Sequence, residues 1–252
     1  MVLDGPEAPT HPDCARCPAR CCHTLDVHVT AHDLRRICDA LTVPAESFVC
    51  LTTTPRSSPD SFLLSGEGAE YELVLDRRPG CVFLLRLDEA GRARCGVYEH
   101  RPMVCRAYPF FPTADADVVT LTVDADALCP PPLLDVARVP AGAPLPTLFS
   151  KQVERDVHRL AIDRWNRWVA AEATPAADAG ALLRWLLSAA AATTDLLTPI
   201  LEDSHLRLAW CQRAAEVGNP LLPRPHATPA PRRGLAPHLR VLVEALTTAP
   251  MR

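Results

Sequence analysis

The segment Cys14-Ala-Arg-Cys17-Pro-Ala-Arg-Cys21-Cys22 places four of the chain's 11 cysteines within nine residues. A Cys-x-x-Cys step brings two sulfurs to one metal ion or cluster, and thiolates suit zinc, copper(I) and iron–sulfur clusters. One such step alone would be a weak signal. Single cysteines follow in later segments, at Cys81, Cys95, Cys105 and Cys129. The sequence therefore predicts that these eight cysteines are metal ligands.

A disulfide framework is the alternative explanation for so many cysteines, and three observations disfavour it. The total of 11 cysteines is odd. The segment Met1–Thr10 has neither the basic region nor the apolar core of a signal peptide, so we expect a reducing, cytoplasmic location. Adjacent Cys21 and Cys22 could pair with each other only through a strained ring.

Composition excludes several classes of function. The formal net charge is −4, whereas a nucleic-acid-binding surface needs a basic excess. The most apolar stretch, residues 180–192, is interrupted by Arg184 and is shorter than the ~20 residues that a bilayer requires. We therefore expect no nucleic-acid partner and no membrane span.

The order of the patterns predicts an α+β protein: a small cysteine-rich metal-binding domain with a mainly α-helical C-terminal extension. A run of prolines between residues 130 and 146 indicates a stiff linker. We place the boundary there, giving a cysteine-cluster domain at 1–135 and a helical region at 136–252. A proline-rich segment near 219–237 is expected to be poorly ordered.

Alternation and turn signals predict the local elements of the first region. Residues 14–23 are interpreted as an irregular ligand loop, and Thr30 to Asp33 forms a capping box that opens a helix through Leu41. A further short helix is expected to begin at Arg101-Pro102 and to carry Cys105. Strands are predicted over 25–29, 71–75, 81–87, 94–98 and 118–123, with a hairpin turn at 88–92.

Helical periodicity predicts the elements of the second region. Helices are expected over 147–172, over 177–217 with a break near Pro199, and over 239–246. Trp165 and Trp168 lie on an apolar stripe and are interpreted as core packing. Three remaining cysteines are interpreted as packed thiols: Cys38, Cys50 and Cys211.

Eight thiolates exceed one four-coordinate site, so two arrangements remain open. Two zinc ions could take four sulfurs each, or one iron–sulfur cluster could take four and leave the others for a second role. If the backbone is extended at Cys21 and Cys22, their side chains point to opposite sides and serve different centres. The thiolate number favours iron over zinc.

Neighbouring side chains are expected to tune the site. A thiolate cluster carries negative charge that arginine can offset, and Arg106 is the favoured cofactor-binding residue. His23 is an alternative ligand, and Tyr98 and Tyr108 are expected to pack over the site. The arginines next to predicted ligands in sequence are Arg16, Arg20, Arg78, Arg94 and Arg106.

Beyond these local patterns, residues 14–130 resemble the YkgJ-type cysteine-cluster family. The resemblance rests on the vicinal cysteines, Cys95-Gly-Val-Tyr98, and the run Arg101-Pro-Met-Val-Cys105-Arg-Ala-Tyr108-Pro109. The family carries a zinc- or iron-chelating domain and includes proteins similar to the flagellin lysine N-methylase. The resemblance implies metal chelation and leaves the reaction open.

Three classes of function remain open at this point. The first is a redox or protein-modifying, methylase-like enzyme with a protein substrate, which would need a pocket beside the metal. The second is a structural zinc-binding interaction module, which would have closed four-sulfur sites. The third is a metal-handling protein. No P-loop or Gly-x-Gly-x-x-Gly motif occurs, and no cysteine is paired with a base in the sequence.

Overall fold

A computed structural model describes residues 19–54, 58–66, 68–77, 79–86, 93–115, 118–123, 128, 144–171, 177–217, 221 and 235–249. The described helices are α1 Arg20–Thr24, α2 Ala31–Leu41, α3 Met103–Ala107, α4 Pro144–Ala171, α5 Ala179–Glu202, α6 Ser204–Val217 and α7 Leu235–Thr248. The described strands are β1 Val49–Thr53, β2 Phe62–Leu63, β3 Glu70–Leu75, β4 Leu84–Arg86, β5 Ala93–Cys95, β6 Phe110–Asp115 and β7 Val118–Val123. These elements confirm the α+β class and the helical C-terminal region.

Helix α2 begins and ends where its sequence predicts. The Thr30 hydroxyl accepts a hydrogen bond from the Asp33 amide at 3.2 Å, and the Asp33 carboxylate accepts one from the Thr30 amide at 3.0 Å. This reciprocal capping box satisfies amides that have no partner within the helix. The helix buries Leu34 and Ile37 completely.

Strand β3 is the centre of a three-stranded antiparallel sheet of order β1-β3-β2. The strand predicted over residues 25–29 makes only one bridge to it, between His28 and Val74. The amide of Val29 donates to Leu73 and the amide of Leu75 donates to Val27. Because β2 pairs with the beginning of β3, little of this edge remains for a second partner.

The hairpin β4–β5 is shorter than its sequence predicts. The pairing runs from Leu84 opposite Cys95 to Arg86 opposite Ala93, and the predicted turn at 88–92 lies outside the described residues. Cys81 is not in the strand because its carbonyl accepts from the Leu84 amide, which makes a turn. This turn sets Cys81 beside the hairpin rather than within it.

Strand β7 is confirmed at residues 118–123, and its partner β6 was not predicted. The prolines at 109 and 112 argue against a strand in the sequence, since proline cannot donate to a ladder. A two-stranded hairpin consists of edges only, so Pro112 is tolerated opposite Leu121.

The helix predicted over 177–217 breaks at Asp203 rather than near Pro199. Proline removes one helical donor, but the carbonyl of Pro199 still accepts from the Asp203 amide at 3.2 Å. The Asp203 carboxylate then accepts from the amides of His205 and Leu206 at 2.7 and 3.0 Å. This capping aspartate begins α6 and explains where the chain turns.

The last helix begins earlier than predicted, at Leu235 instead of residue 239. Its first turn contains Pro237, a position where the missing amide costs no helical hydrogen bond. The remainder of the proline-rich segment lies outside the described residues, apart from Leu221. None of the helices in the described ranges combines the length and apolarity needed to cross a bilayer.

One hydrophobic core draws residues from both sides of the predicted boundary at residue 135. It includes Leu34 and Phe62 from the first region and Trp165, Leu186 and Leu242 from the second, all at most 1% exposed. The indole nitrogen of Trp165 donates to the Leu63 carbonyl at 2.7 Å. The two regions are thus packed together, and their division into separate domains stays a prediction.

Candidate metal centre

Five cysteines from four separate segments line one cavity of about 110 Å³. The first two lie on α1, one precedes β4, one ends β5 and one lies on α3: Cys21, Cys22, Cys81, Cys95 and Cys105. The three other predicted ligands, Cys14, Cys17 and Cys129, lie outside the described residues. The five cysteines that line the cavity are free thiols. Within the described ranges, no three Cys, His, Asp or Glu side chains are arranged to hold one ion.

Helix α1 corrects the extended-loop interpretation of the vicinal cysteines. It begins after Ala19, whose φ of 55° is in the left-handed region, and the Leu25 amide donates to Cys21 at 3.0 Å. Cys21 and Cys22 therefore follow one another on a helical turn instead of alternating across a strand. Both line the same cavity, so the premise that assigned them to different centres was wrong.

Backbone contacts hold the other thiols against α1. The amide of Cys81 donates to the Cys22 carbonyl at 2.9 Å, which joins the segment before β4 directly to the vicinal pair. The amide of Gly96 donates to the Phe83 carbonyl at 2.7 Å. A side chain at Gly96 would meet that carbonyl oxygen at 3.2 Å, so glycine permits the close turn that follows Cys95.

Burial and a hydrogen bond between two of the thiols shift the thiol pKa values in different directions. A hydrogen bond from the Cys22 thiol lowers the pKa of Cys21 to about 6, and the same bond raises the pKa of Cys22. Burial is the main cause that raises the pKa of Cys81, Cys95 and Cys105. A bound cation would favour the deprotonated form of these cysteines, because thiolates, not thiols, are the ligands.

Arg101 is the cavity residue that the sequence analysis missed as a site residue. It lines the cysteine cavity, and its positive charge acts to lower the pKa of Cys21, Cys95 and Cys105. Its guanidinium lies 3.9 Å from the centre of the Tyr98 ring, and its Nε donates to the Tyr98 carbonyl at 3.1 Å. The sequence signal was its position in the Arg-Pro-x-x-Cys run, which was used only to predict a helix start.

The favoured arginine, Arg106, lies on α3 as predicted but is not among the residues lining the cavity. Its guanidinium donates to the Glu99 carbonyl. Its role in cofactor binding stays a prediction. Arg20 and Arg94 are exposed, whereas Arg16 and Arg78 lie outside the described residues.

Of Tyr98, Tyr108 and His23, only Tyr108 lines the cysteine cavity. Its hydroxyl accepts a hydrogen bond from the Leu128 amide at 2.6 Å. Tyr98 packs against Arg101. His23 is exposed and does not line the cavity, and its carbonyl accepts from the Arg77 guanidinium.

The site and fold define a cysteine-lined centre of the kind found in metal-chelating domains. Residues 13–130 match the family model CxxCxxCC, described as "Putative zinc- or iron-chelating domain". The matched segment is the one that carries the cysteine spacing, so the match confirms the resemblance seen in the sequence. No curated protein and no solved structure matched the chain.

Proposed function

We propose that the protein holds an iron–sulfur cluster through its cysteine cluster and uses it in a redox role in the cytoplasm. The proposed ligands are drawn from Cys14, Cys17, Cys21, Cys22, Cys81, Cys95, Cys105 and Cys129. When bound, such a cluster supplies single-electron transfer. A reducing compartment agrees with the free thiols that line the cavity.

The single observation that carries the proposal is the meeting of five thiols from four chain segments at one cavity. The segments are up to 84 residues apart, from Cys21 to Cys105, so local sequence does not explain their meeting. Single packed cysteines are common in proteins, but five of them at one cavity are unexpected for packing alone. The match to a "Putative zinc- or iron-chelating domain" supports metal binding by this segment.

The number of thiols at the cavity favours a cluster over one zinc ion. A four-coordinate zinc site uses at most four sulfurs, each about 2.3 Å from the metal. The cysteine cavity instead offers five described thiols. Its apolar lining includes Val27, Leu75 and Val97, which would shield a cluster from solvent.

The charge of the site also fits a thiolate-bound group. Four thiolates around a cluster leave a net negative centre, which a buried cation can offset. Arg101 provides that charge from the cavity wall, and the Tyr98 ring holds its guanidinium in place.

Anaerobic purification followed by visible spectroscopy and elemental analysis tests the proposal. We expect a brown protein that contains iron and sulfide, and loss of both in Cys95→Ser and Cys105→Ser. Cys38→Ser is the matched control, because Cys38 is partly buried on α2 and does not line the cavity. A colourless protein that contains stoichiometric zinc would overturn the cluster assignment.

A structural zinc module is the alternative function, and one observation favours it. Val82, in the turn before β4, and Leu85, on β4, are 44% and 45% exposed. Exposed apolar side chains of this kind suit a protein partner. The same elemental analysis separates the two functions, since the module requires zinc without iron.

A further inference from the structure

Helix α1, which carries the vicinal cysteines, is too short to be stable through its own backbone hydrogen bonds. It spans five residues, whereas isolated helices shorter than about 12 residues are marginal in water. Its last four carbonyl groups, which have no partner within the helix, belong to Cys21, Cys22, His23 and Thr24. The Cys21 carbonyl accepts from the Leu25 amide at 3.0 Å. The partners of the other three come from a distant part of the chain.

The loop between β3 and β4 supplies all three of these partners. The guanidinium of Arg77 donates to the carbonyl oxygen of His23 at 2.6 Å and to that of Thr24 at 3.0 Å. The amide of Cys81 donates to the Cys22 carbonyl at 2.9 Å. This loop therefore closes the end of α1 and joins the vicinal cysteines to a third predicted ligand.

The loop that carries Arg77 and Cys81 is itself fixed to the core. The amide of Asp76 donates to the carbonyl of the buried Phe48 at 2.9 Å. The amide of Val82 donates back to the Asp76 carbonyl at 2.8 Å, which brings the two ends of the loop together. Helix α1 is therefore held by a loop whose own position is set by the sheet and the core.

The carbonyl contacts of Arg77 matter more than its ion pair. The guanidinium also lies 2.7 Å from the Asp26 carboxylate, but the Asp26 side chain is 67% exposed. An exposed ion pair contributes at most about 1 kcal/mol. The Arg77 side chain is only 20% exposed, and its two terminal nitrogens each reach a carbonyl oxygen. A cation at the end of a helix also stabilises the helix dipole.

We infer that Arg77 is a positioning residue of the metal centre, which holds the helix of Cys21 and Cys22 against the loop of Cys81. It acts through the backbone carbonyls of α1 and is not a ligand, since a guanidinium has no lone pair to offer a metal. The inference rests on the proposed function only in that these cysteines bind a metal. Residues that orient ligands in this way typically change metal affinity by about 10–100-fold.

Anaerobic titration of the metal-free protein with Co²⁺ tests the inference, because absorption bands from thiolate–cobalt bonds report binding directly. We expect Arg77→Met to weaken Co²⁺ binding about tenfold or more and to reach the same final spectrum, since the ligands are unchanged. Arg77→Lys should have an intermediate affinity, because lysine keeps a charged donor but loses the planar fork. Arg86→Met is the matched control, since Arg86 is exposed on β4 and does not line the cysteine cavity.

Hydrogen exchange in the metal-free protein distinguishes positioning from a general loss of stability. We expect Arg77→Met to accelerate exchange at the amides of Leu25 and Cys81 several-fold, because both close the end of α1. Exchange in the buried part of α5 should stay unchanged. Acceleration throughout the protein, α5 included, would show a general structural role and would overturn the inference.

Two further outcomes contradict the role of Arg77. Equal Co²⁺ affinity in Arg77→Met and the unaltered protein would overturn it, as would a lack of Co²⁺ binding by the unaltered protein. Failure of the cluster assignment has a different signature, namely zinc without iron in the purified protein. That result would leave the Co²⁺ comparison valid, and equal Co²⁺ affinities would leave the iron and sulfide content unaffected.

Discussion

The buried carboxylate of Asp33 accepts a hydrogen bond from the amide of Met103 at 2.9 Å, across 70 positions of sequence. Met103 is the first residue of α3, the helix that carries Cys105. Asp33 also caps α2 through Thr30, so one side chain joins the start of two helices. The position of the Cys105 thiol therefore depends on a residue that holds no metal in any arrangement considered above.

Replacement of Asp33 should weaken both the fold and the metal centre. We expect Asp33→Ala to lower the free energy of unfolding by about 3–5 kcal/mol, because Arg36 would then lose a partner in a largely buried pair. Metal content per protein should fall with it. Urea unfolding and elemental analysis measure the two effects. Asp39→Ala is the control, since Asp39 is in an exposed pair with Arg35 and should cost no more than about 1 kcal/mol.

The vicinal cysteines should behave alike. Because Cys21 and Cys22 lie on one helical turn and line one cavity, we expect Cys21→Ser and Cys22→Ser each to cause complete loss of bound metal. Elemental analysis of the two variants measures this loss. Retention of about half the metal in both variants would instead favour separate centres.

Arg101 should set the reduction potential of the proposed cluster. Removing its charge leaves the centre more negative, and we expect Arg101→Met to lower the midpoint potential while much of the cluster is retained. Spectroelectrochemical titration measures this shift. Arg94→Met provides the comparison, because Arg94 is exposed on β5 and does not line the cavity. Equal shifts in the two variants would contradict a specific role of Arg101.

Gly96 should be required for the close turn after Cys95. A side chain there would meet the Phe83 carbonyl oxygen at 3.2 Å and Leu85 at 3.1 Å, so we expect Gly96→Ala to cost about 1–3 kcal/mol of stability. Gly68→Ala is the matched control, because nothing lies within 4 Å of its added side chain. Urea unfolding of both variants tests this. An unchanged free energy of unfolding in Gly96→Ala would show that the turn accommodates a side chain.

Stability should fall below neutral pH because of buried His158. Burial lowers its pKa to about 4 in the folded protein, compared with about 6.5 in an unfolded chain. Between these values the unfolded chain binds more protons, so this contribution is complete above pH 6.5 and is lost as the pH falls towards 4. The slope is at most about 1.4 kcal/mol per pH unit from this one ring.

Urea midpoints at pH 7 and pH 5 measure the effect of His158. We expect His158→Gln to be less sensitive to pH than the unaltered protein over this window. His205→Gln is the control, because His205 is exposed at the start of α6 and its replacement should leave the dependence unchanged. An identical pH dependence in all three proteins would show that His158 does not contribute it.

Local elements were the part of the fold that the sequence predicted best. The capping box at Thr30 and Asp33 determined α2 because its hydrogen bonds join residues three apart. Strand β3 followed from alternation, and the buried Trp165 followed from helical spacing. Interactions of short range can be recognised from neighbouring residues, whatever the rest of the chain does.

The errors have the opposite origin. The break between α5 and α6 was predicted near Pro199, because proline is the stronger local signal. The capping carboxylate of Asp203 instead determines where α6 begins. Helix α1 was taken for an irregular loop, since five residues give too little periodicity to recognise. Arg101 was missed because its distance from the thiols depends on how α3 packs.

By itself, the sequence determined the chemistry: the number and spacing of the thiols, the metals that suit them, and the local helices and strands near them. Only the tertiary structure decided that Cys21, Cys81, Cys95 and Cys105 meet at one cavity and that Arg77 closes the end of α1. The physical reason is that spacing along the chain constrains only nearby atoms. Distant segments are brought together by the burial of a shared core, and no short motif encodes that core.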